Sequence, residues 1–151
     1  MRSVDVVVVA LSTPLLVGIY EEKQLIESIE SSEQSSALLP KLFEELLQRY
    51  TIDSITYANG PGSFMAIKIS YLFLATLEIV KGIQLFGAWA FAFNDASPIK
   101  AMGKLYFHPT PNGVVMAPLG SQQPKPFALP LSWESIAKRS DALPNYILPA
   151  V

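Results

Sequence analysis

The chain has no cysteine, which excludes disulfides, zinc–thiolate centres and thiol nucleophiles and fits a reducing cytoplasm. It has a single histidine, His108, with no Ser/Asp constellation near it in sequence. A hydrogen-bonded turn histidine is therefore expected rather than a general base. Charge is scarce: 16% of the 151 residues are charged, and the formal net charge is −2. That balance supplies no global field to attract nucleic acid, so any service to RNA would run through another protein. Long apolar spans are lacking too. Residues 6–11 are fronted by Asp5, interrupted at Pro14 and followed by Tyr20-Glu21-Glu22-Lys23, which reads as a buried first strand and not a signal peptide. Residues 64–80 contain Lys68 and Glu78 and fall short of the ~20 apolar residues a bilayer span needs. A soluble, cytoplasmic chain with no membrane segment is expected.

What is present is apolar bulk. Half of the residues are hydrophobic, more than one small core uses, so part of the surplus is available to cover a partner. Residues 4–11 are continuous and β-branched, as in a strand buried on both faces. Residues 15–20 and 24–29 read as two further strands of a meander. The polar stretch 31–36 holds the expected N-cap of a helix over 38–50, with Pro40 in its first turn. The apolar residues of that helix come in pairs, Leu38-Leu39, Leu42-Phe43 and Leu46-Leu47, a face broader than one contact with a sheet requires. A strand over 52–57 leads to Asn59-Gly60-Pro61-Gly62. Ser63 then caps a helix to about Lys81, apolar on nearly every side from Phe64 and Met65 through Leu72 to Val80. Gly82 is its stop signal, and 83–86 is a short strand. The order β-β-β-α-β-α-β is a ribonuclease-H-like α/β layout over residues 1–96.

After Ser97 the composition changes, with nine of the twelve prolines beyond it. This half, 97–151, reads as a reduced, proline-rich second lobe. A hairpin is expected between 103–108 and 113–118, a short helix over 133–139 capped by Ser132, and one more strand or a tail over 143–151.

Little in the chain resembles catalytic machinery. The turn Gly60-Pro61-Gly62-Ser63 at a helix N-terminus has the form of an anion cradle. However, Pro61 removes a donor, no Lys-Ser/Thr pair follows, and Met65 stands where a dinucleotide fingerprint has its third glycine. No carboxylate lies at the end of the first strand, where Leu11-Ser12-Thr13 stand, so nothing there would hold Mg²⁺. No catalytic residue, metal site or cofactor is expected.

Residues 57–69, Tyr-Ala-Asn-Gly-Pro-Gly-Ser-Phe-Met-Ala-Ile-Lys-Ile, resemble the hallmark of the TsaB (YeaZ) family, a Gly-Pro-Gly-Ser-Phe-Thr-Gly turn running into Leu/Val-Arg-Ile-Gly. Gly60, Pro61, Gly62, Ser63, Phe64 and Ile69 match, and Lys68 keeps the positive charge. Met65, Ala66 and Ser70 depart from it. Leu38-Leu39-Pro40 resembles the family's Leu-Pro step, and Leu11-Ser12-Thr13 its Leu-Asp-Thr without the acid. The likeness spans residues 4–95, and the chain is short for the family.

The resemblance implies an actin-like ATPase (sugar-kinase) fold without a working nucleotide site. It also implies a non-catalytic role beside TsaD, the transferase that makes threonylcarbamoyladenosine at position 37 of tRNA, with a TsaE-like ATPase joining through the complex. The family's docking surface is a bundle of the first two helices of each partner, and self-association through related surfaces is known in it. On this chain the docking candidates are Leu38, Leu39, Leu42, Phe43 and Leu46 on the first helix and Phe64, Met65 and Leu72 on the second. The resemblance leaves both a monomer and a homodimer open for the chain alone, and implies only indirect contact with tRNA. Two alternatives are a small ATP-dependent kinase or hydrolase using the Gly60–Ser63 turn, and a peptidase, for which neither a metal site nor a nucleophile–base pair is visible.

Overall fold

The computed structural model describes residues 1–138, 140 and 142–145. Strands β1 (Arg2–Val9), β2 (Leu15–Glu21) and β3 (Gln24–Ser31) form the meander, followed by α1 (Ser35–Arg49), β4 (Tyr50–Ala58), α2 (Phe64–Lys81) and β5 (Gln84–Ala88). They build one five-stranded sheet in the order β3-β2-β1-β4-β5. β1 pairs antiparallel with β2 and parallel with β4, and β4 pairs parallel with β5. The α/β class and element order expected from the sequence are present. A second sheet, β6 (Ile99–Lys100), β7 (Leu105–Thr110) and β8 (Gly113–Pro118), is antiparallel in the order β6-β7-β8.

The uninterrupted valines of β1 are explained by two covered faces. Val4, Val6 and Val8 meet α1 and α2, whereas Val7 and Val9 meet Tyr20, Ala58, Ala88 and Phe93 on the opposite side. That opposite face is closed by the 3₁₀ turn Ala90–Phe93 and by Phe127, Leu129 and Trp133. The register of β1 against β4 slips between Val4 and Asp5, where Val4 faces Ile52 but Asp5 faces Ser54. The extra residue, Asp53, is a β-bulge. It shifts the alternation by one, so Ile52, Ile55 and Tyr57 all reach the helical face. Strict period-two spacing would have split them.

Several boundaries differ from the sequence reading. α1 starts at Ser35, three residues early, from Gln34, whose side chain makes no capping bond. Pro40 therefore lies inside the helix rather than in its first turn, at the loss of one intrahelical bond. The hairpin turn is shorter than expected, Pro111-Asn112 alone, because Thr110 pairs with Gly113. The helix expected over 133–139 is a correction: among the described residues only the 3₁₀ turn Trp133–Ser135 forms, and Ile136 is extended. Pairing with a neighbour wins there over local propensity, because the Trp133 N–H donates to the Lys23 carbonyl at 2.8 Å and Ser132 bridges to Gln24. Arg139 lies outside the described residues. Of the expected final strand or tail, Leu143, Pro144 and Asn145 are irregular, and 146–151 lie outside the described residues.

Candidate functional site

The Gly60–Ser63 turn sits where β4 ends and α2 begins, and the carbonyls of Gly60 and Ser63 both accept from the chain's own backbone. The Asn59 N–H donates to Ala88 O at 3.0 Å, and the Ala90 N–H donates to Gly60 O at 2.9 Å. A strap of residues 142–145 crosses the turn: the Asn145 N–H donates to Asn59 O at 2.8 Å, Asn59 Nδ2 to Leu143 O at 3.1 Å, and the Tyr57 hydroxyl to Ala142 O. Gly60 has φ +126°, a conformation closed to L side chains, and a Cβ there would collide with the Asn145 carbonyl oxygen. Pro61 follows a cis bond, and both Pro61 and Gly62 are buried. The Ser63 hydroxyl accepts from the Ala66 N–H at 3.4 Å, the capping role its position suggested. This is the geometry of a bolted pivot that fixes the direction of α2.

A cleft of about 1140 Å³ opens beside it, between Leu11–Pro14 and Gly62–Met65 on one wall and Ile99–Met102 and Pro124–Leu129 on the other. Its β1 corner carries Ser12 and Thr13 in place of a carboxylate, and Glu30 is the one acid on its walls. Among the described residues no cluster of His, Cys, Asp or Glu has metal-holding geometry. Lys100 and Lys125 at the mouth are engaged by Gly103 O and Asp95. His108 Nε2 lies 3.2 Å from Ala117 O, tied within the hairpin.

The docking candidates separate into two groups. On α1, Leu38, Leu39, Leu42, Phe43 and Leu46 are all at most 7% exposed. All five belong to one core cluster with residues of the sheet and of α2, and Phe43 meets Phe73 with ring centroids 5.8 Å apart. These five side chains, expected as a docking face, lie in the chain's own core. Leu47 is only half-buried, at a shallow groove between the helices.

On α2 the outcome is the reverse. Only Ile67, Ser70 and Leu74 are buried, a narrow stripe at helical spacing, so the helix is not covered all round. Met65 is 56% exposed, Leu72 54% and Ile79 83%. These three recur every seventh residue on one side, the spacing at which a helix presents a seam to another helix. The seam runs about 21 Å at 1.5 Å per residue, with half-buried Ile69 and exposed Lys68 between Met65 and Leu72, and Ala75 and Thr76 between Leu72 and Ile79. Phe64 is half-buried, with the Lys68 ammonium 5.9 Å from its ring centroid. Ile79 and Val80 were missed in choosing candidates. The signal that finds Ile79 is the heptad spacing from Met65, hidden in a helix whose every side is apolar; Val80 is its sequence neighbour and lies off that spacing.

No protein-family model matches the chain, and no curated protein sequence matches it. Solved structures do. YeaZ from Pseudomonas aeruginosa superposes with a TM-score of 0.61 at 16% identity, over 85% of this chain and 71% of that one. An uncharacterized protein described as similar to peptidase YeaZ, from Pseudomonas aeruginosa, gives a TM-score of 0.55 at 17% identity, over 98% of this chain and 86% of the other. At such identity the likeness establishes the fold: this chain shares the mixed α/β architecture of the YeaZ structures. No helix among the described residues is long and apolar enough to cross a membrane.

Proposed function

We propose that this chain is a non-catalytic subunit of the tRNA N6-threonylcarbamoyladenosine machinery, of the TsaB (YeaZ) kind, which binds and supports a TsaD-like transferase. The observation that carries this reading is the exposed seam Met65–Leu72–Ile79 on α2. Large apolar side chains left uncovered along one side of a helix beside the core are available to bind a protein partner. The YeaZ-like fold and the Gly60–Phe64 hallmark supply the family of partner. On this reading the five-stranded sheet is a ribonuclease-H-like lobe of an actin-like ATPase fold, and β6–β8 is what remains of its second lobe. A TsaE-like ATPase joins through the complex, and tRNA is reached through the transferase, in keeping with a net charge of −2.

Docking is narrowed to α2 with the exposed rim of α1, because the α1 leucines are already buried. The test is co-elution of the purified chain with the TsaD homologue of its host, with and without a TsaE homologue and ATP. A stable complex is expected; two separate peaks under all these conditions would sink the proposal.

A further inference from the structure

The two sheets present four strand edges, and three of them are blunted. At the β3 edge, the Leu25 N–H donates to Leu131 O at 2.9 Å, Ser132 bridges to Gln24, and Glu27 and Arg49 form an ion pair alongside. At the β5 edge, the Leu85 N–H is taken by the Glu78 carboxylate at 3.1 Å. β6 is only two residues long. Covering segments, charges and shortness are the devices by which soluble proteins prevent edge pairing. Among the described residues the fourth edge, β8, has none of them from Gly113 to Ala117, and Pro118 closes its end. It runs six residues, Val115 and Met116 are 48% and 42% exposed, and no Asp, Glu, Lys or Arg occurs between Lys104 and Lys125.

The prolines fix which backbone groups of β8 are free. In an antiparallel ladder, pairs that exchange both bonds alternate with pairs that exchange none. Pro109 faces Val114 and Pro118 faces Leu105, and a residue without an N–H belongs in a non-bonded pair. The bonds to β7 therefore run through Gly113, Val115 and Ala117. The N–H and C=O of Val114 and Met116 point outward, and no backbone group among the described residues meets them.

We infer that β8 pairs antiparallel with β8 of a second copy, about a two-fold axis through Val115. In that register Val114 faces the partner's Met116 and Met116 faces the partner's Val114. Both pairs have outward-facing groups, so four hydrogen bonds form at once. Val115 lies against its own copy on one face, and Met116 is covered by the partner's Val114 on the other. An edge without charge meets itself without repulsion. The product is a continuous six-stranded sheet. This surface is separate from the α2 seam, so the inference stands or falls apart from the proposed function.

The absence of cysteine gives a clean test. Across the axis the two Val115 Cα atoms would be about 4.5 Å apart as a non-bonded pair, within disulfide reach. Val115→Cys treated with diamide should yield a covalent dimer, reversed by reductant, while Ile79→Cys under the same conditions stays monomeric. Adding Met116→Pro removes an outward N–H from each copy, two of the four bonds, and should lower the yield about ten-fold or more. Met116→Lys, which keeps the backbone intact and puts a charge at the centre of the edge, should turn the native chain from a concentration-dependent dimer to a monomer in sedimentation velocity, with unchanged circular dichroism. The inference is overturned by absence of the Val115→Cys dimer, by equal yield with Met116→Pro, or by preferential cross-linking at Ile79→Cys.

Discussion

Replacing Gly60 by Ala tests the pivot at the root of α2. Two costs add. The backbone at φ +126° is strained for any L side chain by about 1–3 kcal/mol. The new Cβ would also drive out the Asn145 carbonyl oxygen, and with it the bonds from the Asn145 N–H to Asn59 O and from Asn59 Nδ2 to Leu143 O. At about 1 kcal/mol each, these bring the expected loss to about 3–5 kcal/mol, a large fraction of the ~5–15 kcal/mol that holds a domain together. Gly62→Ala is the matched control: its Cβ would meet Leu11 Cδ2 at 3.2 Å, a side-chain tip able to move, so about 1 kcal/mol or less is expected. Urea unfolding followed by circular dichroism reads both variants, and hydrogen exchange at the Asn145 amide should accelerate only in Gly60→Ala. Equal midpoints for the two, or a Gly60→Ala loss within about 0.5 kcal/mol of zero, would refute the pivot.

Leu46, at 1% exposure, should lose about 2–5 kcal/mol of stability when changed to Ala, whereas Leu72→Ala should stay within about 0.5 kcal/mol; paired urea melts decide it, and the reverse order would return α1 to the surface. Tyr20 is fully buried, its hydroxyl donating to Pro130 O at 2.6 Å, and burial raises its pKa from 10.0 to about 12. The unfolded chain gives up that proton first, so stability is intact below pH 10 and declines as pH rises from 10.0 to about 12. Tyr20→Phe should flatten that alkaline decline in a pH series of thermal melts, and an unchanged slope contradicts the assignment.

The fold was legible where local chemistry and tertiary demand agree. The Ser63 cap and the Gly82 stop at φ +70° stand where the sequence put them, and the β-branched run forms β1, which starts and ends two residues earlier than the expected 4–11. Segments whose conformation is imposed from a distance were not legible. Nothing local announces that Ser132 and Trp133 will close the β3 edge, or that a strap from 142–145 will cover Asn59 and demand glycine at position 60. The candidate site shows the same division. Apolar pairs on α1 signalled a wide buried face correctly, but the sequence does not state whether a sheet, a second helix or another protein buries it. For α2, near-uniform hydrophobicity concealed which side the sheet would take. Only the observed burial of Ile67, Ser70 and Leu74 reveals Met65, Leu72 and Ile79 as the side left over.

The seam is therefore the claim to measure. Leu72→Glu combined with Ile79→Glu places two charges on exposed positions, so the monomer should keep its circular dichroism and melting midpoint. Titrated calorimetrically against the TsaD homologue, the wild-type chain should bind, and the double variant should lose about 100-fold or more in affinity, as expected for charging the centre of an apolar interface. Undiminished binding by a folded double variant would contradict the docking role of α2.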